Sequence, residues 1–204
     1  PYQYEFKYPK AGEANAKVSL HLYDMAAGTI TPVPLDEAYY IPRIDWMNNA
    51  DYLSVRTLNR HQNHLKMYSV NATNNAVTLL LEEKDDAYVD VHDNLTFLAD
   101  DSFIWTSEKD GFNHIYLYDQ KGELMNQITK GPWEVTDYYG YDQANDRVYY
   151  QSTENGSINR GVYSINSSGN DKIELATATG TNAADFSTDY TYFINTFSNA
   201  STPT

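Results

Sequence analysis

The stretch SFIWTSEKDGFNHIYLYDQKGELMNQIT, residues Ser102–Thr129, decides the fold. It contains three short runs of apolar and aromatic residues, separated by two turn sequences. The first turn, Glu108–Gly111, ends in Asp-Gly, and the second contains Lys121-Gly122. Glycine tolerates the positive φ angles that tight hairpin turns need. Between the turns, Asn113–Asp119 alternates with the period of two that is typical of a strand. The stretch therefore predicts an antiparallel meander of three strands.

The same pattern recurs along the chain. A strand with a central tyrosine, a turn rich in Gly or Asn and a short apolar strand begins at His21, Lys66, His114 and Gly161. The central tyrosines lie 45, 48 and 47 residues apart, at Tyr23, Tyr68, Tyr116 and Tyr163. A second series of strands, each preceded by an aromatic strand end and a turn, begins at Ala50, Asp101, Asp146 and Asp189. The unit is therefore four strands in roughly 45 residues.

Four strands in such a period are typical of a β-propeller blade. A β-sandwich also has regularly spaced strands, but nothing in its architecture repeats the same aromatic residue at the same place. No stretch shows a sustained 3.6-residue period, so little helix is expected. We predict an all-β protein: a β-propeller with four-stranded antiparallel blades, in which Trp105 and Trp133 are largely buried and the four repeat tyrosines occupy equivalent positions.

The repeats divide the chain into three full blades and two half-blades of one partial propeller. Full blades are expected at residues 39–87, 88–133 and 134–180. Residues 1–38 carry a hairpin, predicted at Lys17–Tyr23 and Thr29–Val33, that matches only the outer two strands of a blade. Residues 181–204 match only the inner two. The half-blades expose unpaired edges, which favours self-association; closure of the two ends onto each other is the alternative.

The composition excludes several classes of function. The chain has 14 Lys+Arg against 28 Asp+Glu, a net charge of −14, which repels phosphate backbones and anionic lipid, so neither nucleic-acid nor membrane-surface binding is expected. It contains no cysteine, which excludes disulfide scaffolds and cysteine zinc sites. The longest aliphatic run, Val77–Leu81, is far too short to cross a membrane. Because the sequence starts at Pro1 without a signal peptide, we expect a processed or excised piece.

Four motifs in succession go beyond a generic propeller: Tyr8-Pro9-Lys10-Ala11-Gly12 followed by Asn15, Leu58–Asn63, Trp105–Tyr116 and Ile128–Val135. They resemble the YPKAG-x-x-N segment, the L-N/R-R-x-Q-N turn, the SE-x-DG-[FY]-x-HIY strand pair and the T-x-G-x-WEV connection of dipeptidyl peptidase IV-like proteins, in the prolyl oligopeptidase superfamily. The order is the family's own, and the similarity covers essentially the whole chain. It corresponds to the later blades of that family's eight-bladed N-terminal propeller.

The resemblance implies a function for the parent protein. In that family the propeller covers an α/β-hydrolase domain whose Ser-Asp-His triad releases N-terminal Xaa-Pro dipeptides. This chain contains no G-x-S-x-G, so it holds no nucleophile elbow and no catalytic residue. The family's paired glutamates, which hold the amine of the substrate, would precede Pro1. The implied role is substrate gating and positioning by a propeller segment of a serine exopeptidase.

Further expectations follow from the same resemblance. The partners would be peptides with Pro or Ala at the second position and the hydrolase domain of the parent chain. The location would be periplasmic or extracellular. The lack of the family's animal-type cysteines indicates a bacterial source, and no cofactor or metal is expected. The alternative is a non-catalytic propeller module that binds peptides or partner proteins, because propellers serve many functions.

The candidate site residues lie in the segment Val91–Asn94, which enters the second full blade. In the resembled family this segment faces the substrate cavity, so His92 and Asp93 are predicted to contact substrate. Some animal members carry Arg and Phe there, and this chain has neither. The alternative is an ordinary connecting loop.

Other titratable clusters are interpreted structurally. Glu82-Glu83 follows a predicted strand and precedes Lys84-Asp85-Asp86, which indicates an acidic connecting loop. His61 and His64 are three residues apart in a predicted turn with no carboxylate close by, so a turn is favoured over a metal site. His21 and His114 each lie two residues before a repeat tyrosine, which favours a structural role.

Overall fold

The structure is a computed structural model that describes residues 2–6, 10–35 and 38–203. Tyr8 and Pro9 of the first family motif lie outside the described residues. In the described part of the chain all regular secondary structure is β-strand, and there is no helix that is long and apolar enough to cross a membrane. The all-β prediction is therefore confirmed.

The strands follow one another with short connections. In chain order they are β1 His21–Asp24, β2 Thr29–Pro32, β3 Tyr40–Trp46, β4 Tyr52–Leu58, β5 His64–Asn71, β6 Val77–Lys84, β7 Leu95–Phe97, β8 Phe103–Ser107, β9 His114–Tyr118, β10 Leu124–Gln127, β11 Val135–Asp142, β12 Arg147–Ser152, β13 Gly161–Ile165, β14 Ile173–Ala176, β15 Thr181–Phe186 and β16 Phe193–Ser198.

These strands form three four-stranded antiparallel sheets and two two-stranded sheets. We name the sheets β3–β6, β7–β10 and β11–β14 the first, second and third blade; in each, neighbours in sequence are neighbours in the sheet. The hairpins β1–β2 and β15–β16 are the two half-blades, and the first is shorter than the predicted hairpin. The arrangement confirms three full blades plus two half-blades of a propeller.

The blades pack against one another through buried apolar side chains. One cluster joins the first and second blades and contains Leu58, Leu65, Met67, Leu80, Leu81, Val89, Phe103, Trp105, Tyr116 and Tyr118. A second cluster joins the second and third blades and contains Ile104, Ile115, Ile128, Val135, Val148, Tyr150, Tyr163 and Ile165. Alternate residues of β8 and β9 therefore serve the two neighbouring blades, which is why both faces of these strands are buried.

The repeat tyrosines of the three full blades occupy equivalent positions, as predicted. In the second blade Trp105 pairs with Tyr116, and both belong to the cluster that faces the preceding blade. Tyr150 and Tyr163 form the corresponding pair of the third blade. In the first blade Tyr68 pairs with Val55, which belongs to a cluster that faces the first half-blade. Because cross-strand partners lie on the same face of a sheet, Tyr68 faces the preceding sheet as Tyr116 and Tyr163 do.

The tryptophans differ in burial. Trp105 is completely buried, as predicted. Trp133 is only half-buried, because it lies in the connection before β11 rather than in a strand. Its ring stacks at 6.3 Å from Tyr150 and meets the edge of His114 at 4.8 Å. Trp133 is therefore packed against the second cluster but is less completely buried than Trp105.

The chain should self-associate through its open edges. The two half-blades form separate sheets and do not pair with each other in the described structure, so β16 presents an unpaired edge, with Ile194 and the preceding Tyr192 exposed. Exposed apolar edge strands favour pairing between chains. We expect the mass measured by size-exclusion chromatography with light scattering to rise with concentration, and Ile194→Lys to suppress the rise. A strictly monomeric wild-type chain at all concentrations would contradict this.

Candidate functional site

A cavity of about 290 Å³ lies between the first and second blades. Its walls are the end of β6, the connection 88–94, the end of β8 and the turn between β8 and β9. It is therefore built where connections meet at one end of the two sheets, and it contains the segment from which the sequence predicted substrate contact. A cavity of this size is at the small end of the range of ligand pockets.

His92 lines this cavity and is held in one orientation. Its Nε2 donates to the backbone carbonyl of Thr106 at 2.9 Å, and its Nδ1 accepts from the backbone N–H of Asn94 at 3.2 Å. Its ring lies 4.1 Å from that of Trp105. Burial lowers the pKa of His92 to about 4, and the cation of Arg56 contributes to the shift. The imidazole is therefore neutral at pH 7, with its tautomer set by the two hydrogen bonds.

Asp93 is placed differently. Its side chain is 71% exposed, does not line the cavity and faces Arg43 of β3. The Arg43 Nε lies 2.5 Å from Oδ1, and Nη2 lies 3.2 Å from Oδ2. The hydrogen bond from Arg43 lowers the pKa of Asp93, so the carboxyl is ionised at neutral pH. The two predicted site residues are thus neighbours in sequence, but the His92 side chain lines the cavity and the Asp93 side chain pairs with Arg43 outside it.

Sequence reasoning missed the two arginines that hold this segment. Arg56 of β4 is completely buried, and its Nη1 donates to the backbone carbonyl of His92 at 2.5 Å. Its Nη2 donates to Asp45 at 2.7 Å. The available signal was a lone charged residue in the middle of a strand that is otherwise buried, since buried charges are rare and need partners.

The interpretation of Glu82-Glu83 as an acidic connecting loop is wrong. Both residues belong to β6, where Glu83 pairs with Leu65 and Glu82 with Lys66. Glu83 lines the cavity and accepts from the indole N–H of Trp105 at 3.0 Å. Burial raises the pKa of Glu83, against hydrogen bonds from Ser107 and Trp105 that lower it. The acidic pair continues the strand because Glu83 accepts the hydrogen bond that the buried indole N–H of Trp105 needs.

A lysine completes this wall of the cavity. Lys109 Nζ donates to the hydroxyl of Tyr118 at 2.7 Å and lies 3.9 Å from the centre of the Tyr116 ring, a cation–π contact. Burial lowers the pKa of Lys109, while the charge of Glu83 raises it. The half-buried carboxylate of Glu83, the ammonium of Lys109 and the neutral imidazole of His92 therefore line one cavity, together with the charged residues Lys84, Asp85, Asp90 and Glu108.

The remaining histidines do not line this cavity. His64 is the first residue of β5, not part of the turn, and its Nε2 lies 2.5 Å from Glu82, so the expectation of no nearby carboxylate is wrong. His61 does lie in the turn. Among the described residues there is no group of three or more His, Cys, Asp or Glu able to hold a metal.

The two histidines assigned a structural role occupy comparable positions. His21 and His114 are the first residues of β1 and β9. His114 is completely buried, with its ring nitrogens 3.1 Å from the hydroxyl of Thr129 and 3.0 Å from the carbonyl of Gly131, as a structural role requires. His21 is exposed, and its Nε2 lies 3.1 Å from the hydroxyl of Ser19.

His92 should titrate far below an ordinary histidine. The unfolded chain binds a proton at His92 below pH about 6.5, whereas the folded chain does so only near pH 4, so this stabilisation is present above pH 6.5 and is lost as the pH falls. From pH 7 to 5 we expect wild type to lose about 1–2 kcal/mol more unfolding free energy than His92→Gln. Urea unfolding at both pH values measures this, and equal losses would contradict it.

Comparison with known proteins identifies the family. The family model described as the dipeptidyl peptidase IV (DPP IV) N-terminal region matches residues 1–204. The chain belongs to this family. A solved structure of Porphyromonas gingivalis dipeptidyl peptidase 4 is 48% identical, with a TM-score of 0.88 over 97% of this chain. A putative dipeptidyl aminopeptidase IV from Bacteroides ovatus has a TM-score of 0.78 over 93% of the chain at 24% identity, which shows the fold alone.

The curated relatives are longer proteins. A probable dipeptidyl peptidase 4 of Aspergillus fumigatus is 28% identical over 177 residues, which are 81% of this chain and 23% of the relative. A probable dipeptidyl-aminopeptidase B of Phaeosphaeria nodorum is 30% identical over 195 residues, which are 86% of this chain and 21% of the relative. The chain likewise covers 28% of the Porphyromonas structure. It therefore spans about a quarter of the length of the proteins it matches, which are named as peptidases.

Proposed function

We propose that this chain is the substrate-gating and positioning segment of a dipeptidyl peptidase IV-like serine peptidase that releases N-terminal Xaa-Pro dipeptides. The observation that carries the proposal is the family match over all 204 residues, reinforced by 48% identity to a solved dipeptidyl peptidase 4. The chemistry belongs to a hydrolase domain of the parent, through an activated serine and a preorganised oxyanion hole. The substrates are peptides with Pro or Ala second, and the location is periplasmic or extracellular.

The geometry favours positioning over chemistry. The cavity between the first and second blades offers a neutral His92, whose hydrogen bonds are already made within the protein, and a half-buried Glu83 that accepts from Trp105. The hydroxyls that they contact are Thr106 Oγ1, 3.3 Å from His92 Nε2, and that of Ser107 beside Glu83. Both belong to buried residues of β8, so neither is an exposed nucleophile. What the segment supplies is a rigid wall, because the groups that line it are fixed by packing and hydrogen bonds.

Hydrolysis of Gly-Pro-p-nitroanilide tests the proposal. We expect no turnover by the 204-residue chain, because it has no nucleophile elbow. We expect turnover by the full-length gene product, and its loss on treatment with a serine-reactive fluorophosphonate. Activity of the chain alone after removal of contaminating peptidases would contradict the assignment of chemistry to another domain.

The gating role is tested by comparing two substrates of different size. A short Xaa-Pro peptide and a folded protein with the same N-terminus are compared with the full-length enzyme. We expect cleavage of the peptide and exclusion of the folded protein, because a propeller over the active site admits only slender chains. A full-length product that binds peptides without cleaving them would instead support the non-catalytic module.

A further inference from the structure

Two arginines face each other directly across the first blade. Arg43 of β3 and Arg56 of β4 are cross-strand partners. Like charges in this arrangement destabilise a sheet. Only 2% of the Arg56 side chain is exposed, against 40% for Arg43. A like-charge pair with one member fully buried requires an explanation.

Both arginines reach across to the segment that enters the second blade. Arg56 donates to the main-chain carbonyl of His92 at 2.5 Å, while Arg43 holds the carboxylate of Asp93 with two hydrogen bonds. The Arg56 Nη2 also lies 4.0 Å from Asp93 Oδ1. The two charges are thus neutralised by Asp45 and Asp93, and the segment is fixed at two consecutive residues.

Stability alone does not account for Arg56. Burying a guanidinium removes its hydration, and well-packed apolar replacements of buried ion pairs are often neutral or stabilising. In addition, Arg56 Nε is buried without a hydrogen-bond partner, which is unfavourable. The neighbouring Trp105 ring lies 5.8 Å from the guanidinium, so an apolar side chain would find apolar surroundings. What an apolar residue could not do is bind the carbonyl of His92.

We propose that Arg56, supported by Arg43, is a positioning residue that fixes the main chain at His92 and so sets the wall of the substrate-facing cavity. The expected effect on substrate binding in the full-length enzyme rests on the proposed function. Because Arg56 binds a main-chain carbonyl, it fixes the backbone and not a particular side chain. The imidazole of His92 then lies against Trp105 with its hydrogen bonds to Thr106 and Asn94 formed.

Amide hydrogen exchange in the 204-residue chain tests the positioning directly. In Arg56→Met we expect amide exchange at Asn94 and Leu95 to accelerate about tenfold or more relative to amides of the third blade. The reason is that local opening of the segment must break the hydrogen bond between Arg56 and the His92 carbonyl in the wild type but not in the variant. The matched control is Arg147→Met, since Arg147 also donates to a main-chain carbonyl, that of Asp171, in the third blade. Equal acceleration throughout the chain would show a purely structural role and overturn the proposal.

Kinetics of the full-length enzyme give the second readout. We expect Arg56→Met to raise KM for a Gly-Pro substrate about tenfold with kcat changed less than about twofold, the pattern of lost ground-state positioning. Arg56→Lys should restore only part of the wild-type KM, because a single ammonium does not reproduce the planar guanidinium with its several donors. If Arg56→Met does not fold, Arg43→Met, at a half-exposed position, should raise KM in the same direction.

The outcomes separate the two proposals. Unchanged KM in folded Arg56→Met and Arg43→Met variants would overturn the positioning role. A wild-type full-length product without Xaa-Pro dipeptidase activity would overturn the proposed function, and the exchange experiment would still decide whether Arg56 fixes the segment.

Discussion

Replacing Trp105 with alanine should lower the free energy of unfolding by about 3–5 kcal/mol, measured by urea denaturation. The ring is completely buried in the cluster that joins the first and second blades. Its removal leaves a cavity there, and the surrounding strands of two sheets can collapse only partly. It also deprives the half-buried Glu83 of a hydrogen-bond donor.

A second tryptophan provides the matched control. Trp46 is at the end of β3 with 60% of its surface exposed, so Trp46→Ala should change stability by less than about 1 kcal/mol. Trp105→Phe separates the two contributions, since it keeps most of the ring volume and removes the indole N–H. A loss below about 1 kcal/mol for Trp105→Ala would contradict the packing described here.

The repeat could be predicted from the sequence because strands and turns are local. Asp110-Gly111 and Lys121-Gly122 specify turns by themselves, and the alternation of Asn113–Asp119 follows from the period of a strand. The tyrosines therefore mark equivalent pairs, Val55 with Tyr68 and Trp105 with Tyr116. The strand ends could not be predicted to one residue, because β4 and β5 continue one pair further toward their loop than β8 and β9 do.

The site could be predicted only in part, because its contacts are long-range. The segment containing His92 was found by resemblance, and the structure places His92 at the cavity between two blades. The contacts of Arg56 with His92 and of Glu83 with Trp105 join residues 36 and 22 positions apart. Nothing near Glu83 in sequence indicated a buried donor, so the local acidic composition favoured a loop.

Gly122→Ala should destabilise the chain by about 2–5 kcal/mol, for a reason that the sequence does not contain. Gly122 has φ +85, where an L side chain is strained by about 1–2 kcal/mol. A Cβ there would also lie 1.7 Å from the carbonyl oxygen of Leu80 in β6, so the turn between β9 and β10 would have to move away from the first blade. Overpacking of this kind costs about 1–3 kcal/mol more.

Gly111→Ala isolates the backbone contribution. Gly111 has φ +99 in the turn between β8 and β9, and a Cβ there would meet nothing within 4 Å. Its substitution should therefore cost only the strain of about 1–2 kcal/mol. Urea unfolding of both variants gives the difference between their losses of unfolding free energy. That difference measures how tightly the turn at Gly122 packs against Leu80. Equal losses for the two glycines would show that this turn can move away from the first blade without penalty.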